Sequence, residues 1–150
     1  MNHAVFCLRK IALLATLLIS CSDSTVGDEP IPLTPFAEIY INLTLPQYTA
    51  LLTDGGYIYN NDGGTRGLIL YRKDKSTYLA FERNCSYLPN EACATVNVDE
   101  SKLFMIDPCC DSSFSFSDGS PIGGPASLPL IQYRTRLDEN DLYITDETVD

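Results

Sequence analysis

Histidine is almost absent from this chain of 150 residues: there is one, His3. A Ser-His or Cys-His catalytic pair needs an imidazole base, and many zinc sites use imidazole ligands, so a chain that loses His3 can build none of these. Basic residues are also scarce, ten Lys and Arg against twenty Asp and Glu, which leaves a formal charge of -10. Nucleic acid and anionic membrane surfaces are bound by clustered Lys and Arg, so the charge argues against both as partners. The acidity reads first as solubility, although Asp138, Glu139, Asp141, Asp146, Glu147 and Asp150 crowd the C-terminus. No internal repeat is visible.

What is present at the N-terminus accounts for the loss of His3. Arg9 and Lys10 precede an apolar run over residues 11–19, the pattern of a bacterial export signal and too short for a stable membrane span. The run ends in Leu18-Ile19-Ser20-Cys21, which resembles the sites where lipoproteins are cleaved and acylated on the new N-terminal cysteine. Residues 1–20 are therefore expected to be removed with His3 and Cys7, and Cys21 to carry lipid. Removal takes two basic residues and no acidic ones, so the charge falls from -10 to -12. The expected location is the cell envelope, anchored to a membrane by lipid; the sequence leaves open whether the chain faces the periplasm or the outside. Residues 21–35, polar and holding Pro30, Pro32 and Pro35, read as a tether.

Residues 36–146 have room for one domain, with an acidic tail at 147–150. Short stretches rich in Tyr, Val, Ile and Phe alternate with turn signals, the pattern of an all-β protein. Strands are expected over 39–43, 57–59, 67–72, 77–82, 95–98, 103–106, 113–117, 130–136 and 142–144, with a short helix over 46–53 stopped by Gly55-Gly56. Asn60-Asn61-Asp62-Gly63-Gly64 and Lys73-Asp74-Lys75-Ser76 are turn sequences that join neighbouring strands into hairpins. In Phe114-Ser115-Phe116-Ser117 the period of two puts both aromatics on one face, as core.

The stretch 107–125, DPCCDSSFSFSDGSPIGGP, packs adjacent cysteines, a short alternating strand and a Gly/Pro-rich turn into one piece. Asp107-Pro108-Cys109-Cys110-Asp111-Ser112-Ser113-Phe114 resembles the second cluster-binding loop of Rieske iron-sulfur domains. Asp118-Gly119, Gly124-Pro125-Ala126, Leu130 and Tyr133 fit the pattern that closes that loop. The segment from Tyr78 through Cys85 to Tyr87 is similar to the family's strand and first loop. The resemblance covers roughly residues 39–144 and implies an antiparallel β-sandwich carrying two cysteine-bearing loops at one tip. It places Cys85 and Tyr87 at the ligand positions of the first loop, and Asp107 and Cys110 at those of the second. A Rieske centre needs two imidazoles on one iron, and none remains after His3 is lost. No cofactor is therefore expected at Cys85, Tyr87, Asp107 and Cys110. Asp107 before Pro108 reads as a turn starter and Tyr87 as a packing residue.

Four cysteines remain in the domain, Cys85, Cys93, Cys109 and Cys110, and an even number in an exported domain reads as disulfides. Some Rieske domains pair an extra cysteine from each loop, and the resemblance puts Cys93 and Cys109 at those positions. This leaves Cys85 to pair with Cys110; the crossed pairing, Cys85 with Cys109 and Cys93 with Cys110, stays open. The expected function is a disulfide-stapled structural or binding module that meets a protein partner, and catalysis is not expected. Two further readings stand beside it. One is electron transfer through a [2Fe-2S] or zinc centre held by Cys85, Cys93, Cys109 and Cys110. The other is thiol-disulfide chemistry at Cys109-Cys110, which lacks the Cys-x-x-Cys spacing.

Overall fold

The computed structural model describes residues 30–149; the export signal and Cys21 lie outside them. The described residues form ten strands: β1 (Ile39–Asn42), β2 (Tyr57–Asn60), β3 (Leu68–Arg72), β4 (Tyr78–Glu82), β5 (Asn97–Val98), β6 (Met105–Asp107), β7 (Ser112–Phe114), β8 (Pro121–Gly123), β9 (Gln132–Asp138) and β10 (Asp141–Thr148). A 3-10 helix over Pro46–Leu52 follows β1. Pro46 starts this helix, where its missing N–H costs no hydrogen bond and its fixed φ suits the first turn. No helix among the described residues is long and apolar enough to cross a membrane.

Two antiparallel sheets result. The larger has the order β1-β10-β9-β4-β3-β2, and the smaller has β5-β6-β7-β8. Both turn sequences close hairpins, β2 on β3 and β3 on β4. Strand β8, absent from the sequence-based expectation, pairs with β7 across a bulge. The last strand is longer than expected, because after a bulge Thr148 pairs with Tyr133 and the Val149 N–H donates to the Gln132 carbonyl at 2.8 Å. The final turns of the chain, read from sequence as acidic tail, thus include sheet residues. At the other end the Thr65 hydroxyl donates to the Pro32 carbonyl at 2.9 Å, so the last residues of the expected tether lie against the domain.

The core divides in two along the central strands. Leu68, Leu70, Tyr78 and Ala80 face one cluster with Ile41, Leu51, Tyr133, Leu142 and Ile144. Their neighbours Ile69, Leu79 and Phe81 face a second cluster with Cys85, Val96, Met105, Phe114, Phe116 and Leu130. Successive side chains of a strand leave on opposite faces, so β3 and β4 are covered on both sides, and all five residues of β4 are buried. Phe114 and Phe116 are core, as their spacing predicts, and Phe116 stacks on Tyr71 with ring centroids 4.2 Å apart. The second cluster lies beneath the two cysteine-bearing loops and supports them.

Candidate functional site

The first loop leaves β4 after Glu82 and returns through Thr95, closed at its base by a bridge between Asn84 and Thr95. The Cys85 N–H donates to the Ala94 carbonyl at 3.2 Å and the Val96 N–H to the Arg83 carbonyl at 2.7 Å. The second loop is a tight turn between β6 and β7. Asp107 starts it: its Oδ1 accepts the Cys109 N–H at 2.8 Å and its carbonyl accepts the Asp111 N–H at 2.8 Å. Asp111 completes it with φ +59°, a conformation that Asp tolerates better than most residues. The turn role read from Asp107-Pro108 is thus realised, but the side chain is also fully buried.

A third segment, 124–130, holds the two loops to each other. The Ser86 hydroxyl of the first loop donates to the Leu128 carbonyl at 2.6 Å. Ser112, just past the second loop, accepts the Ala126 N–H at 3.1 Å. Gly124 makes this approach possible: it has φ +81°, and a Cβ there would stand 2.5 Å from both the Asp111 carbonyl oxygen and the Ser112 Cα. This is the physical content of the Gly-Pro pattern seen in the sequence.

At the tip the loops meet. Cys93 and Cys109, one from each loop and both exposed, are joined by a disulfide. The bridge expected between Cys85 and Cys110 is not formed: the two are separate thiols with sulfurs 3.8 Å apart, too far for an S–S bond of about 2.0 Å. Each is held by other partners: the Cys85 sulfur accepts the Tyr87 N–H at 3.5 Å, and the Cys110 thiol lies 3.4 Å from Asp107 Oδ2 and 3.1 Å from Ser112 Oγ. Burial pushes the Cys85 thiol well above the ordinary value, and the nearby Asp107 and Cys110 push it further, against the one favourable Tyr87 N–H. Tyr87 is half-buried against the second core cluster. One donor atom from each of Cys85, Asp107 and Cys110 lies within 4.8 Å of the other two.

Solved structures resemble the chain, two of them as follows. One comes from a complex of reduced oxygenase and oxidised ferredoxin in carbazole 1,9a-dioxygenase, with a TM-score of 0.49 and 20% identity over 66% of this chain and 88% of that one. The other is the ferredoxin of carbazole 1,9a-dioxygenase from Nocardioides aromaticivorans IC177, with a TM-score of 0.44 and 21% identity over 64% and 89%. No protein-family model matches the chain, and no curated protein does so either. The described residues fold as an all-β domain of two antiparallel sheets. In the structure itself, two all-antiparallel sheets carry both cysteine loops to one tip, where a third Gly-Pro segment binds them.

The donor set does not fit a Rieske cluster. At the four positions that the sequence resemblance matches to cluster ligands stand Cys85, Tyr87, Asp107 and Cys110, with no imidazole among them. The Asp107 carboxylate is already committed through Oδ1 to its own turn. The alternative four-cysteine centre does not fit either, because the disulfide removes Cys93 and Cys109 as thiolates. The same bond leaves the adjacent Cys109-Cys110 pair with one thiol, at Cys110.

Two residues that anchor the site escaped the sequence-level reading. Glu82, fully buried, accepts the N–H groups of Thr65 (2.7 Å), Arg66 (3.0 Å) and Asn84 (3.0 Å), and the Tyr133 hydroxyl at 3.1 Å. Arg66, so positioned, grips the first loop: Nε donates to Asn84 Oδ1 at 2.6 Å, Nη1 to the Ala92 carbonyl at 2.9 Å and Nη2 to the Glu91 carbonyl at 2.5 Å. A signal for Glu82 existed in the register, since it follows Tyr78 and Ala80 at period two on a core-facing row. Arg66 offered none, because the partners of its guanidinium are 18 to 29 residues away.

Proposed function

We propose that this chain is a lipid-anchored, exported domain that uses a Rieske-like frame as a disulfide-stapled structural or binding module and does not carry electrons through a Rieske centre. The observation that carries this reading is the tip itself: no imidazole at any of four ligand positions, and a carboxylate, already bonded within its turn, where the second loop would supply a thiolate. The exposed Cys93–Cys109 bridge holds the loops in one relation, so a partner protein that docks on the tip meets a surface already ordered and spares the entropy of arranging it. The anchor reading is supported by Arg9-Lys10, the apolar run and Leu18-Ile19-Ser20-Cys21.

Anaerobically prepared protein tests the module reading. Acid-labile sulfide should be absent, and so should the visible charge-transfer absorption of an iron-sulfur cluster. Stoichiometric iron and sulfide would overturn the reading. Labelling with palmitate, present in the native chain and lost in Cys21→Ser, checks the anchor.

A further inference from the structure

The three donors left at the tip have a definite shape. On a tetrahedral zinc ion, with Zn–S about 2.3 Å and Zn–O about 2.0 Å, two sulfurs stand roughly 3.8 Å apart and a sulfur and an oxygen roughly 3.5 Å apart. Here the Cys85 and Cys110 sulfurs are 3.8 Å apart, and Cys110 Sγ is 3.4 Å from Asp107 Oδ2. Cys85 and Asp107 are fully buried and Cys110 is half-buried, so the group has a dry floor and one accessible side. Two thiolates with one carboxylate are a donor set that suits zinc, and that calcium and magnesium do not favour.

We propose that Cys85, Asp107 and Cys110 form a mononuclear zinc site that clamps the first loop to the second, with water in the fourth position. This goes beyond the module reading and differs from the family's centre in having one ion, no sulfide, no imidazole and no redox change. The surroundings suit it. Asp107 Oδ1 keeps the Cys109 N–H while Oδ2 faces Cys110, which fixes the carboxylate's orientation. The Tyr87 N–H already points to the Cys85 sulfur, and Ser112 Oγ, within 3.1 Å of the Cys110 sulfur, has a hydroxyl proton to offer a thiolate. As zinc enters, both thiols give up their protons to solvent, two protons for one dication bound.

The test uses the full chain, purified in detergent, with alkylation and mass measurement showing Cys93–Cys109 intact and the other two thiols free. Titration with zinc should give one equivalent bound. Cobalt substituted for zinc should develop thiolate-to-metal charge-transfer absorption, read on the native chain without any variant. Cys110→Ser should abolish that band, and Asp107→Asn should weaken zinc binding at least tenfold; Cys85→Ala serves beside Cys85→Ser in case the buried hydroxyl unfolds the loop. Free thiols that bind no zinc, or Cys85 and Cys110 found bridged to each other in the protein as purified, would overturn the zinc site and leave the module reading standing. Iron with acid-labile sulfide would overturn both.

Discussion

Glu82→Gln replaces one carboxylate oxygen by an amide where four donors converge. Oε1 accepts the fixed backbone N–H groups of Arg66 and Asn84, while Oε2 accepts the Thr65 N–H and the Tyr133 hydroxyl. The glutamine carbonyl must stay on the side with two fixed donors, so its NH2 faces Thr65 and Tyr133. The tyrosine hydroxyl can turn and accept, but the Thr65 N–H cannot. One part-buried backbone donor loses its acceptor and faces a second donor, at about 1–3 kcal/mol, and the surviving bonds lose charge assistance. The expected loss is about 2–3 kcal/mol, measured by urea unfolding followed by far-UV circular dichroism. Glu82→Ala removes every acceptor and should cost about 4 kcal/mol or more. The opposing effect is the cost of burying a carboxylate, which the neutral amide avoids; where that cost dominates, such replacements are neutral or stabilising. Since Thr65 and Arg66 would shift together, the first loop should lose hydrogen-exchange protection at Cys85 and Val96 before the sheet does. A Glu82→Gln protein within about 0.5 kcal/mol of the native one would refute the reasoning.

Other consequences can be measured directly. Cys93→Ser with Cys109→Ser opens a loop that closes over a separation of 16 residues and should cost about 3 kcal/mol; a loss under about 1 kcal/mol would mean the three-segment hydrogen bonding holds the tip without the bridge. Burial raises the Cys85 thiol above its ordinary 9.0, and burial with the Glu82 carboxylate raises the Tyr133 hydroxyl above its ordinary 10.0. Both groups are neutral when protonated and have raised folded values, so their contribution is whole below the unfolded-state values and is lost as pH climbs from those values through the folded ones. Metal-free protein should therefore lose stability from about pH 9 upward, by up to about 1.4 kcal/mol per pH unit for each group, whereas an unchanged urea midpoint between about pH 8 and pH 11 would contradict the burial of both.

Much of the frame is legible in the residues because it rests on local rules. Asn60 through Gly64 and Lys73 through Ser76 specify their hairpins by turn chemistry, and Phe114-Ser115-Phe116 specifies its buried face by alternation. Strand β8 was missed because Pro121-Ile122-Gly123 is short, largely exposed and flanked by breakers, and is made a strand only by its pairing with β7. The helix expected over 46–53 was legible from Pro46 and the following Gly55-Gly56, and forms as a 3-10 helix over Pro46–Leu52. At the site, the turn role of Asp107 follows from its position before Pro108, but the burial of its carboxylate beside a sulfur from another loop does not follow from any neighbour in the chain.

The sequence by itself determined that no Rieske centre of the usual kind can form in a chain that loses His3, because ligand chemistry depends on which residues exist and not on where they lie. It determined the all-β character too, since the period of a strand is local. Only the tertiary structure decided between the two pairings left open in the sequence, with an exposed Cys93–Cys109 bridge and, as thiols with sulfurs 3.8 Å apart, a buried Cys85 and a half-buried Cys110. It also placed Glu82 and Arg66 beneath them. Those meetings depend on the register of β4 against β3 and β9, on the turn at Asp107 and on the close approach that Gly124 permits. They are distances between parts of the chain far apart in order, which residue types alone do not contain.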